Sequence, residues 1–230
     1  MLKWCLDCFD LLARVLRLQV RSQSANPVTI RIFGEASVSP AAYSSTAFDV
    51  STRARTTATV EWSPEPSTTV HELLQTPDIS SIVAEIISMS GWASGNSVGI
   101  MFEQVSGTGV RWVESYRVNS DFATYAGTDG STPALEVHGP PPPATQVFGT
   151  TGRTDSAEQF VANGAMYLTS SDLELCHDGL AQVVGIIFPS VTLSAADAYT
   201  LAQTRVYFDV DEVSVATALT QDGTAAMTTL

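Results

Sequence analysis

A chain of 230 residues is long enough for one large β domain with a real hydrophobic core. Only 15% of the residues are charged while roughly 50 are Ser or Thr, a hydroxyl-rich surface that suits exposed strands. The net charge of −13 argues against nucleic-acid partners, whose phosphates demand clustered Lys and Arg.

In chain order, residues 1–20 are not expected to be a signal peptide or a membrane span, because Asp7, Asp10, Arg14 and Arg17 interrupt any apolar run. Cys5 and Cys8 form a CxxC without a second ligand pair. Cys176 and His177 are adjacent and would point to opposite faces of a strand, so the three cysteines are expected to be ordinary thiols. Leu16 to Arg21 and Val28 to Phe33 alternate with period two. Thr57 to Trp62, Val98 to Gln104, Val110 to Tyr116 and Ala134 to His138 continue the pattern between Gly, Pro, Ser and Asp punctuation.

One segment has a different period. From Asp78 to Met89, Ile79, Ile82, Val83, Ile86, Ile87 and Met89 recur at three-to-four spacing, opened by Thr76-Pro77-Asp78 and closed by Gly91. This predicts one amphipathic helix lying across a sandwich. Pro140 to Pro143 then mark a boundary, with 140–154 expected as a Pro-rich linker. Beyond it, Ala165 to Leu175, Val183 to Phe188, Val191 to Leu193, Thr204 to Val213 and Thr217 to Thr220 are strand candidates, and 221–230 is small and polar. The fold class is therefore an all-β antiparallel sandwich, jelly-roll-like, with one short helix.

The run Arg205 to Thr220 has a weaker echo in Ala13 to Ile30, each an alternating strand, a polar turn and a short apolar strand. Such an echo suggests a tandem array cut off-register. The stretch from Thr76 through Gly91-Trp92 and Glu114-Ser115-Tyr116 to Pro133-Ala134-Leu135-Glu136-Val137 resembles a β-sandwich repeat of large secreted and surface proteins related to DNRLRE-type carbohydrate-binding modules. Asp172-Leu173-Glu174-Leu175 and Val184-Gly185-Ile186-Ile187-Phe188 resemble that repeat's opening strands. The resemblance implies that 1–139 is the C-terminal part of one repeat and 155–230 the N-terminal part of a second. Each would lack what the other supplies.

The expected function is a non-catalytic extracellular or cell-surface structural or adhesive module. Its partners would be copies of itself or homologous repeats, assembled by strand complementation into a head-to-tail filament or surface array. One alternative is a monomeric carbohydrate-binding module stacking a glycan on Trp112 and Tyr116 beside Arg111 and Arg117. A second is a serine hydrolase using Ser97 of Gly95-Asn96-Ser97-Val98-Gly99. There, however, a helix precedes and a strand follows, the reverse of a nucleophile elbow, and His71, His138 and His177 lie in no recognisable catalytic setting. Asp209, Asp211 and Glu212, with Asp172 and Glu174 as a further acidic group, offer hard oxygens for calcium, although alternating acids on a strand are also its ordinary solvated face. No other cofactor is expected, and Arg111 with Glu114 is a natural pair for fixing the closing strands.

Overall fold

The computed structural model describes residues 25–66, 73–115, 133–138, 145–170, 172–194, 201 and 203–209. Its largest sheet grows from strands whose letters are apolar on both faces. Val28–Glu35 (β1) buries Val28, Ile30 and Ile32 on one side and Phe33 on the other. It pairs antiparallel with Arg55–Trp62 (β2) at one edge and Val98–Gly107 (β4) at the other. The helix Ser80–Ile87 (α1) lies against this sheet and buries Ile82, Val83, Ile86 and Ile87, the predicted stripe. Met89 falls beyond its end, half-buried. A Cβ added at Gly34 would stand 2.6 Å from Ile86 Cδ1 and 2.9 Å from Ile82 Cγ2, so glycine is what lets the helix seat on β1.

Asp78 fixes where the helix starts. Its carboxylate accepts from the Ser80 amide at 3.0 Å and from the Thr204 amide at 2.8 Å, tying α1 to Gln203–Asp209 (β13). Glu85, on the same helix, accepts from the amides of Thr57 at 2.8 Å and Ala58 at 2.7 Å. Those donors belong to the edge strand β2, so the helix occupies backbone groups that would otherwise be offered to an incoming strand.

The second segment enters the same sheet. Leu180–Phe188 (β12) pairs with β4 from Val183 opposite Glu103 to Phe188 opposite Val98, then with Ser156–Phe160 (β8), which in turn pairs with Met166–Tyr167 (β9). His177–Asp178 (β11) folds back on β12, giving seven strands in all. A second sheet has the order β3, β13, β6, β7, where β3 is Leu73–Gln75, β6 is Ala134–His138 and β7 is Thr145–Gly149. Trp112–Glu114 (β5) and Asp172–Glu174 (β10) form a third, two-stranded sheet. Each of the three sheets joins strands from both sides of the proline run.

Several boundaries differ from the sequence reading. Residues 145–149, expected as linker, form β7, whose partners run from Ala134 opposite Gly149 to His138 opposite Thr145. The expected strand from Ala165 to Leu175 is broken into β9 and β10. Val191 to Leu193 forms no ladder; it is held where the Gly95 amide donates to the Val191 carbonyl and the Val191 amide donates to the Asn96 carbonyl, each at 2.8 Å. Of the strand expected at 110–116, Trp112–Glu114 is paired, while Tyr116 lies outside the described residues. Leu16 to Arg21 and Thr217 to Thr220 lie outside the described residues.

The main core fills the space between the large sheet, the helix and the four-stranded sheet. Phe208 of β13 bridges it, stacked on Trp62 with ring centres 6.4 Å apart and edge-on to Phe102 at 5.6 Å. A smaller core covers the opposite face of the large sheet, where Tyr43 and Val50 from the β1–β2 connection meet Phe33, Met101, Ala157, Val183 and Ile187.

Candidate functional site

Of the residues proposed from sequence, Arg111, Trp112 and Asp209 are among the described residues. Trp112 is half-buried on β5, directly across from Glu174. Arg111, expected on a glycan-facing surface, is only 1% exposed. Its guanidinium donates to the carbonyls of Pro64 at 2.8 Å, Val110 at 3.0 Å and Asn26 at 3.3 Å, so it fastens the chain after β2 to the start of β5. The alternation that leaves Trp112 partly open turns Arg111 onto the proline segment. Tyr116 and Arg117 lie outside the described residues, as do Asp211 and Glu212. Asp209 ends β13 opposite Leu73. Among the described residues, no group of three or more His, Cys, Asp or Glu is arranged to hold a metal ion.

Ser97 sits in the turn that leads from the helix into β4, as the reversed order of its motif implies. His138 is on β6, in contact with Glu136 at 2.7 Å and with the Thr145 hydroxyl at 3.2 Å, while His177 is on β11. His71 lies outside the described residues. Trp92, read as core, is half-buried against the main core and donates its indole N–H to the Leu193 carbonyl at 2.9 Å.

The arrangement that sequence reasoning missed is at the β8–β9 end of the large sheet. Glu158 on β8 lies across from Tyr167 on β9 and from Val184 on β12, which faces the main core. Its side chain therefore points inward and is only 2% exposed. There it meets Glu174 of β10, 9% exposed, whose backbone amide donates to Glu158 Oε1 at 2.7 Å. Burial first, then the hydrogen bond and charge of Glu174, with Asp172 adding to them, push the Glu158 carboxyl up to about 10.

Aromatic rings flank this acid pair. Tyr167 is 49% exposed and stands edge-on to Phe160, with ring centres 5.4 Å apart. Leu180 at the start of β12 and Val161 after β8 are also exposed apolar side chains, and Phe48 lies beside the β8–β9 turn, where its amide donates to the Gly164 carbonyl. A row thus runs Trp112, Glu174, Glu158, Tyr167 across β5, β10, β8 and β9.

No family model, curated protein or solved structure matches this chain. Among the described residues no helix is long and apolar enough to cross a membrane. The chemistry must therefore be read from the site itself. Half-exposed rings on an anchored hairpin offer flat apolar faces.

Proposed function

We propose that this chain is a non-catalytic, extracellular adhesive β-sandwich module that binds a neutral carbohydrate at the β8–β9 end. The supporting observation is the half-exposed Tyr167 ring braced by Phe160, with Trp112 at the far side of the same row. The C–H faces of a pyranose are apolar and stack on such rings, while the phenol hydroxyl stays in water. A neutral sugar fits better than an acidic one because the nearest acids are Glu158, Glu174 and Asp172 and the expected cation, Arg111, is buried.

The distant relation to DNRLRE-type repeats belongs to the same proposal. Head-to-tail assembly is the weaker form of it, because the apolar faces that would drive polymer formation are covered by strands of the same chain. Removing a stacking residue at the centre of a small site costs a recognisable share of the affinity. Tyr167→Ala should weaken binding to a neutral polysaccharide by about tenfold, the equivalent of ~1.4 kcal/mol, with the fold retained. Isothermal titration against neutral glycans found on an array checks this. Unchanged affinity in the variant, or no neutral glycan bound by the native chain, would remove the proposal.

A further inference from the structure

Glu158 and Glu174 come from different sheets, one from the seven-stranded sheet and one from the β5–β10 pair. They are buried against each other, and among the described residues neither has a Lys or Arg in ion-pair contact. Two bare carboxylates in that position would repel in a medium that screens charge poorly. A carboxyl and a carboxylate attract, and short hydrogen bonds to a charged acceptor are strong.

We propose that Glu158 holds one proton, shared with Glu174, and that this proton clasps β10 to β8 so that the module is tightened by acid and loosened by alkali. The O–H of Glu158 donates to the Glu174 carboxylate while the Glu174 amide donates to Glu158 Oε1. Removing the proton breaks the first bond, releases H⁺ to solvent and leaves two negative charges in contact.

The groups facing the clasp reinforce it. Asp172 on β10 adds negative charge. Tyr167 is the partner of Glu158 on β9, while β12 contributes the uncharged Val184. The thiol of Cys176, one residue beyond Leu175, is itself held up by burial and by the nearby Glu103 charge. His177 and Asp178 follow on β11.

A carboxyl raised in the folded state contributes stability that is full below its unfolded value, near 4.5, and is lost as pH rises toward the folded value of about 10. The clasp also fixes the row that carries the aromatic rings, because Trp112 lies across from Glu174 and Tyr167 across from Glu158. Regulation of glycan binding by pH rests on the carbohydrate reading above; the clasp does not.

The test compares the intact chain with Glu158→Gln, which keeps a donor and an acceptor but cannot ionise. The native denaturation midpoint should fall steadily from pH 5 to pH 9, and the variant's profile should be clearly flatter. The native protein should also show a carboxylic-acid C=O infrared band at pH 7 that is absent from the variant. If the variant does not fold, the band in the native protein, and its loss as the pH is taken above 10, decides the matter. Superimposable pH profiles, or no carboxylic-acid band at pH 7, would overturn the clasp. Titrating a neutral glycan at pH 5 and pH 9 separates the two readings. A native pH slope with no glycan binding sinks only the platform, and binding with a pH-independent fold sinks only the clasp.

Discussion

Arg53→Ala should destabilise the fold by about 3–5 kcal/mol, the range for removing one partner of a buried ion pair. Arg53 and Glu35 meet at 2.9 Å with both side chains 11% exposed, so neither charge can be left to water. The same guanidinium donates to the carbonyls of Ala41 at 2.7 Å and Ala42 at 3.2 Å, pairs with Asp49 at 3.3 Å and lies over the Tyr43 ring at 4.1 Å. It therefore organises the whole β1–β2 connection, which roofs the smaller core.

Gly185 shows how close that roof comes, since a Cβ there would stand 2.2 Å from the Tyr43 hydroxyl. Burial already holds the Glu35 carboxyl above its ordinary range despite Arg53. Removing the cation raises it further, so the variant's stability is regained as pH falls toward the unfolded carboxylate value and is poorest at neutral pH and above. Urea denaturation at pH 5 and pH 8 checks both points. A loss below about 1 kcal/mol would reduce the network to a surface pair.

Ile86→Ala should cost about 2–5 kcal/mol through lost apolar transfer plus a cavity. Ile86 is fully buried, and its Cδ1 occupies the space that Gly34 leaves open on β1. Relaxation into the cavity is restricted, because the helix is pinned at its start by Asp78 to Thr204 and along its length by Glu85 to β2. Calorimetric or urea unfolding gives the value. A loss under about 1 kcal/mol would contradict the burial of the stripe.

Local pattern was legible where one face is apolar and the chain is continuous. Ala134 to His138 and the Ile82–Ile87 stripe are examples, because period two and period three-to-four are printed in the letters themselves. Residues 156–160 were not, since Ser156, Glu158 and Gln159 are polar letters on a buried strand. Gln159 Oε1 accepts from the amides of Val50 at 3.0 Å and Ser51 at 2.8 Å, and its Nε2 donates to the Ser51 hydroxyl at 2.7 Å, all from more than a hundred residues away. β7 was hidden by the preceding prolines, because a linker and an edge strand are both extended.

The candidate site was half legible. Trp112 and Glu174 stood out as an aromatic and an acid on alternating strands. Their neighbours Glu158 and Tyr167 come to them only through the pairing of β12 with β8 and of β8 with β9, which no local signal encodes. Arg111 misled because alternation shows that two neighbours face apart, without showing which of them faces solvent.

The pairing of β4 with β12 carries the account, since it joins the two segments within one chain and closes the core that a filament would otherwise need a neighbour to close. Static light scattering on the intact chain over a wide concentration range tests it most directly. One particle at the single-chain mass of 24.5 kDa throughout is the expected result. A mass climbing with concentration in multiples of the chain would contradict it and place the missing strands in a neighbour.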